Sequence, residues 1–105
     1  MLGRPKAPEE YVDLVDQALF EIEDLRLAAE YDMDSMGAAT EFLEQLERDI
    51  GKLRESMADG SYRFGKENLP YVTVVEHQDE SILPFKRLLL KINETHIKGL
   101  DVKDG

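Results

Sequence analysis

The chain has 105 residues, a formal net charge of −10 and no cysteine. Its length suits one domain, its 42% hydrophobic content is too high for a disordered chain, and the lack of cysteine excludes disulfide scaffolds, zinc–thiolate sites and cysteine nucleophiles. The acidity disfavours nucleic acid and anionic membrane surfaces as partners, whereas a cation or a basic protein is compatible with it.

The first predicted element is a helix over residues 8–31. Pro8 suits the first helical turn, where its missing N–H is not needed, and the two glutamates after it suit the positive end of the helix dipole. Phe20 and Leu27 fall on the side opposite the predicted core face. That face follows alternating steps of four and three residues, through Tyr11, Val15, Ala18, Ile22, Leu25 and Ala29.

A second helix is predicted over residues 35–58, followed by the left-handed stop Asp59-Gly60. Because only three residues separate the two helices, we expect them to pack as an antiparallel hairpin. The core face of this helix contains Met36, Ala39, Leu43, Leu46, Ile50, Leu53 and Met57.

Residues 60–82 form a predicted irregular or extended segment that is rich in aromatic residues. Its β-prone run, residues 71–75, has no partner strand elsewhere in the sequence. We interpret this run as an extended connection or a short helical piece over the hairpin, and the alternative is edge pairing with a second copy of the chain.

A third helix is predicted over residues 84–98, with Leu90 and Ile97 outside its apolar face. The predicted fold is therefore all-α: an antiparallel helical hairpin plus a third C-terminal helix, resembling a small three-helix bundle. Residues 1–105 form one domain in this interpretation, and residues 1–7 and 100–105 are flexible ends.

Short segments in the second half of the chain resemble a group of small acidic bacterial proteins, some labelled as general secretion pathway components. They are residues 59–65 (DGSYRFG), 68–71 (NLPY), 84–85 (PF) and 92–96 (INETH). The resemblance implies a bacterial cytoplasmic protein and supplies no catalytic residue. The secretion label does not fit, because the platform protein of that pathway spans the membrane and this sequence has no apolar run of about 18 residues.

No motif in the sequence indicates catalysis, a metal or a cofactor. The sequence has no nucleophile elbow and no P-loop, and its paired carboxylates lie on predicted outer faces, so we expect no enzyme. Residues 32–37 begin like a calcium loop, but its fifth and twelfth positions are Met36 and Leu43, which cannot supply oxygen ligands from their side chains. Without an apolar signal region, the expected location is cytoplasmic and outside the membrane.

An alternative function is a small-ligand or metal-binding helical domain that uses residues 62–77 and His96. Aromatic and cationic residues alternate after Gly60, as in platforms on which bases stack. The competing interpretation is that Tyr62 and Phe64 fold back over the open end of the hairpin. The candidate ligand-binding residues are Tyr62, Arg63, Phe64, His77 and His96.

The apolar residues outside the core faces predict a second contact surface. Two such residues occur on each of two helices at i, i+7 spacing: Phe20 and Leu27, and Leu90 and Ile97. We expect an interaction or regulatory module whose partner is a second copy, in a homodimer, or another protein. Residues 9–59 carry a net charge of −12 and residues 86–98 carry +3, so the basic helix suits an acidic hairpin in its own chain or in a partner copy.

Overall fold

The structure is a computed structural model that describes residues 4–31, 37–81 and 83–101. Within these ranges it contains four helices and no strand, which confirms the predicted all-α class. The helices are α1 (Pro8–Tyr31), α2 (Gly37–Asp59), α3 (Val72–Glu76) and α4 (Lys86–Lys98). In the described part of the chain, no helix is both long and apolar enough to cross a membrane.

The helix ends follow the sequence signals closely. The carboxylate of Glu10 accepts hydrogen bonds from the backbone N–H groups of Lys6 (2.7 Å) and Ala7 (3.1 Å), so it satisfies donors that the first turn leaves unpaired. Gly60 follows α2 with φ of 80°, and Gly99 follows α4 with φ of 83°. Glycine adopts a positive φ at little cost, and Gly60 stands where the sequence predicts a stop.

The helices α1 and α2 form the predicted antiparallel hairpin. Asp16 pairs with Arg54 at 2.7 Å, and Arg26, further along α1, pairs with Glu47, further back along α2. Both pairs are partly exposed, so each contributes only about 0–1 kcal/mol and mainly sets the register. The seam itself is apolar and includes the fully buried residues Val15, Ala18, Ile22, Leu43, Leu46 and Ile50.

The helix α4 lies against α1, and α3 lies against α4. Tyr71, just before α3, donates a hydrogen bond from its buried hydroxyl to the carbonyl of Leu89. The radius of gyration is 14.3 Å, compared with about 13 Å for a compact domain of this length. The molecule is therefore elongated along the hairpin.

The β-prone run at residues 71–75 forms most of the short helix α3, so the strand alternative is wrong. Val72 and Val75, three residues apart, are both buried, as one helical face requires. The N–H of Val75 bonds to the carbonyl of Tyr71 at 3.1 Å. The β-branched residues favour a strand, but an unpaired strand would leave its backbone groups without partners, whereas a helical turn satisfies them locally.

The two ends of the described chain meet. The guanidinium of Arg4 lies 3.6 Å from the carboxylate of Asp101, whose N–H donates to the carbonyl of Pro5 at 2.9 Å. The flexible ends predicted from the sequence are thus tied together where they are described, and residues 1–3 and 102–105 lie outside the described residues.

Candidate functional site

Four rings meet at the open end of the hairpin and are called the aromatic cluster: Tyr11, Tyr62, Phe64 and His96. Tyr11 belongs to α1, His96 to α4, and the other two to the loop after α2. The rings of Tyr11 and Phe64 are nearly parallel, at 8° and 5.9 Å between centroids. Tyr62 meets them edge-on, at 73° and 5.7 Å from Tyr11 and at 77° and 5.3 Å from Phe64. Both geometries are favourable for aromatic pairs.

Hydrogen bonds connect three of these rings to the backbone of α4. The hydroxyl of Tyr11 donates to the carbonyl of Ile92 at 3.1 Å and lies 3.0 Å from the hydroxyl of Tyr62. That second hydroxyl lies 2.7 Å from Nδ1 of His96. Burial raises the pKa of both tyrosines, so each keeps its proton over the physiological range.

The number of protons available determines which group donates in each of these hydrogen bonds. A tyrosine hydroxyl donates only once. The proton of Tyr11 is used on Ile92, so the proton between the two hydroxyls comes from Tyr62. The proton between Tyr62 and His96 then belongs to Nδ1. All three hydrogen bonds exist together only when the imidazole carries its proton on Nδ1.

Gly65 leaves room for the imidazole ring of His96. The N–H of Gly65 donates to the carbonyl of His96 at 3.2 Å, and a Cβ on Gly65 would lie 2.8 Å from Nε2 of that ring. Real Cβ atoms essentially never approach a neighbour so closely, so glycine is required for this contact. Burial lowers the pKa of His96 and thereby favours the neutral ring.

A pocket of about 200 Å³ opens beside the aromatic cluster. None of the described residues that line it is charged, although charged residues make up 34% of the chain. Phe64 is 47% exposed at this pocket. The lining consists of Pro8, Tyr11, Val12, Met57, Gly60, Tyr62, Phe64 and Leu100.

The structure brings together three of the five residues predicted for ligand binding: Tyr62, Phe64 and His96. Arg63 is exposed, and its guanidinium donates to two carbonyls of its own loop at 3.0 and 3.3 Å. His77 follows α3, is exposed, and its Nδ1 lies 2.7 Å from a carbonyl one turn back. The interactions found for these two side chains are therefore with their own local backbone.

The described residues offer no metal centre, because nowhere among them do three or more His, Asp or Glu side chains group around a possible ion. The calcium-loop candidate begins with residues 32–36, which lie outside the described part of the chain.

The residues predicted for association differ in exposure. Phe20 is 64% exposed and Leu27 51% exposed on α1, and we call this pair the α1 stripe. On α4, Ile97 is 37% exposed, whereas Leu90 is half-buried against the core. We call the latter pair the α4 face. The α1 stripe is thus the barer of the two surfaces.

The two surfaces differ in the charge around them. Asp16, Glu23 and Asp24 are three or four residues from Phe20 and are all exposed, so the α1 stripe lies among carboxylates. On α4 bases outnumber acids: Lys86 and Arg87 lie one turn before Leu90, and Lys98 follows Ile97, whereas Glu94 lies between the two apolar residues. Residues 86–98 carry a net charge of +3.

Three cations of α4 form ion pairs within their own region, and the fourth, Lys86, donates to the carbonyl of Gln78 at 2.8 Å. Arg87 pairs with Glu80 at 3.1 Å, and Lys91 and Lys98 both pair with Glu94. The hydrogen bond from Lys91 lowers the pKa of Glu94. The helix α4 does lie against α1, as the charge pattern predicts. The partners in these ion pairs, however, belong to α4 itself or to the segment just before it, and not to the acidic hairpin.

Asn93 positions the loop before α3, a role not predicted from the sequence. It is only 8% exposed. Its Oδ1 accepts the N–H of Leu69 at 2.8 Å, and its Nδ2 donates to the side chain of Asn68 at 2.9 Å. The sequence does place Asn93 directly after Ile92, at the edge of the apolar face of the helix. A polar side chain in that position becomes buried and therefore needs a specific hydrogen-bond partner.

No protein-family model, curated protein or solved structure matches this chain. The resemblance to small acidic bacterial proteins therefore stays a prediction.

Proposed function

We propose that this protein is a non-enzymatic cytoplasmic interaction module that self-associates. In this proposal the α1 stripe of one copy packs against the α4 face of another copy. The observation that carries the proposal is the exposure of Phe20 and Leu27, large apolar residues at i, i+7 on a long helix. Together they form a surface that gains free energy when it is covered.

The free energy expected from covering Phe20 and Leu27 is large enough to change the dissociation constant measurably. Complete burial of a Phe or Leu side chain contributes roughly 1.5–3 kcal/mol, so covering the exposed part of each contributes about 1–1.5 kcal/mol. A contribution of about 1.4 kcal/mol changes a dissociation constant tenfold. Phe20 therefore serves as an anchor whose removal has a measurable effect on association.

Electrostatics favour the α4 face over a second α1 stripe as the occupant. If two α1 stripes met, Asp16, Glu23 and Asp24 of both copies would approach each other, and like charges in contact oppose association. The helix α4 has the complementary sign, with a net charge of +3 over residues 86–98. In a two-fold symmetric dimer the same contact occurs twice, once in each direction.

The ion pairs that α4 makes within its chain do not prevent this exchange. Arg87 and Glu80 are exposed, and surface pairs of this type contribute about 0–1 kcal/mol each. Replacing Glu80 by a carboxylate of a second copy therefore changes the free energy little. The apolar contact supplies the affinity, and the charges set partner and register.

Sedimentation velocity at micromolar concentration tests the proposal. We expect a dimer for the unmutated protein and a monomer for the double variant Phe20→Asp, Leu27→Asp. Phe64→Ala is the matched control, because it removes an exposed aromatic ring outside both surfaces and should leave the dimer intact. A monomer in the unmutated protein at these concentrations would overturn the proposal.

A further inference from the structure

We infer that the pocket beside the aromatic cluster binds a small uncharged molecule built on a single ring. The inference is independent of self-association, because the pocket residues Val12, Met57 and Phe64 belong to neither the α1 stripe nor the α4 face.

The volume of the pocket limits the size of its ligand. Sites for drug-sized molecules measure about 300–1,000 Å³. A buried apolar cavity of about 150 Å³ in another protein holds benzene. At about 200 Å³, the present pocket accommodates one ring with a short substituent, on the order of six to nine non-hydrogen atoms.

Both side-chain hydroxyls of the lining are already hydrogen-bonded within the protein. The hydroxyl of Tyr11 bonds to the carbonyl of Ile92, and that of Tyr62 lies between Tyr11 and His96. The carbonyl of Gly60 accepts from Arg63. A charged ligand would lose its hydration in the pocket and find no opposite charge among the described lining residues, so an uncharged ligand is favoured.

The walls of the pocket suit a flat ring. Phe64 packs on Tyr11 and Tyr62 but keeps 47% of its surface exposed, and a ring beside it would cover part of that surface. The wall is also held in place before binding, because Tyr62 is fixed by His96 and the following loop is fixed by Gly65. A preformed wall reduces the ordering that binding would otherwise require.

Titration with benzyl alcohol, followed by NMR of ¹³C-methyl-methionine, tests the inference. Met57 lines the pocket, and the variant Met57→Leu identifies its resonance among those of the four methionines. We expect a saturable shift of the Met57 methyl group with a dissociation constant of about 1 mM, the affinity expected of a ligand this small. Benzoate, which has the same ring but a negative charge, should bind at least about tenfold more weakly.

Three variants locate the binding. Phe64→Ala removes a wall and Val12→Phe fills the space, and each should weaken binding of benzyl alcohol about tenfold or more. Phe20→Ala, which removes an exposed ring outside the pocket, should leave binding unchanged. A shift that does not saturate, equal binding of benzoate, or equal loss in Phe20→Ala and Phe64→Ala would overturn the inference. The oligomeric state of each variant is measured separately, so failure of this inference is distinct from failure of self-association.

Discussion

The hydroxyl of Tyr62 lies 2.7 Å from Nδ1 of His96, a residue 34 positions further along the chain. Through Tyr11 the same hydroxyl also reaches the carbonyl of Ile92. These bonds join three elements at one end of the hairpin: α1, α4 and the loop that follows α2. Polar groups, rather than apolar contacts alone, fix how α4 lies on α1 there.

Replacing Gly65 by alanine should break this arrangement. The new Cβ would lie 2.8 Å from Nε2 of His96, so the ring must move away from Tyr62. Loss of a partly buried hydrogen bond with some repacking is expected to lower the free energy of unfolding by about 1–2 kcal/mol. Urea denaturation measures this change.

Gly51→Ala is the matched control. Gly51 lies inside α2, and a Cβ there meets no atom within 4 Å. Because alanine is the better helix former, this substitution should raise the free energy of unfolding by about 0.5–1 kcal/mol. If Gly65→Ala were as stable as the unmutated protein, the close contact with His96 would be wrong.

Stability should fall between about pH 7 and pH 5. Burial lowers the pKa of His96 in the folded protein, whereas in the unfolded chain it titrates near its usual value of about 6.5. The unfolded chain therefore binds more protons in this window. The stabilisation is complete above the unfolded pKa and is lost as the pH falls through the folded pKa. Glu94, whose pKa is also lowered, loses its contribution in a more acidic window.

Urea midpoints measured from pH 8 to pH 5 test this dependence. His96→Gln should flatten the curve above pH 5, because the titrating group is gone. His77→Gln is the matched control, because it removes an exposed histidine that lies outside the aromatic cluster. A slope that persists in His96→Gln would contradict the role of His96.

Removal of the Asn93 side-chain amide should loosen the loop before α3. Asn93→Leu keeps a similar volume but leaves the N–H of Leu69 and the side chain of Asn68 without this partner. An unpaired, partly buried donor costs about 1–3 kcal/mol. Hydrogen exchange at the Leu69 amide should accelerate.

The exposed residue Asn68 provides the comparison for this variant. Asn68→Ala removes only the second of the two bonds and keeps the acceptor for Leu69, so its effect should be about 0.5–1 kcal/mol. An effect of Asn68→Ala as large as that of Asn93→Leu would show that the loop is not positioned by Asn93.

The helices could be predicted from the sequence because their signals are local and agree with one another. In α1, Pro8, the acidic first turn and the apolar spacing all indicate the same start and the same buried face. The run at 71–75 could not be assigned, because its β-branched residues and its missing partner strand favour different structures. Its helical conformation depends on burial of Val72 and Val75 against the rest of the molecule.

The aromatic cluster was only partly predictable. The pattern around Tyr62 and Phe64 marked the loop, but nothing local indicates that Tyr11, about 50 residues earlier, completes it. Tyr11 matched the apolar spacing of α1, and its hydroxyl acquires a role only when α4 crosses that end. Long-range polar partners depend on packing and leave no periodic signal in the sequence.

Salt should weaken self-association. The screening length is about 10 Å at 0.1 M salt and about 3 Å at 1 M, so repulsion between two acidic molecules is already reduced at the lower concentration. A change of the dissociation constant above 0.1 M salt therefore comes mainly from charges that lie close together across the interface. If the α1 stripe meets the α4 face, dissociation constants from sedimentation should rise between 0.1 and 1 M sodium chloride. If two α1 stripes met, they should fall.

Mixing two variants tests contact between the α1 stripe and the α4 face. One variant, Phe20→Asp with Leu27→Asp, loses the α1 stripe but keeps the α4 face, and a second variant, Ile97→Asp, loses the α4 face but keeps the α1 stripe. Each should sediment as a monomer alone, because both contacts of its dimer are damaged. Mixed in equal amounts, they should form a heterodimer held by the one intact contact. If the mixture stayed monomeric while the unmutated protein dimerised, contact between the α1 stripe and the α4 face would be contradicted.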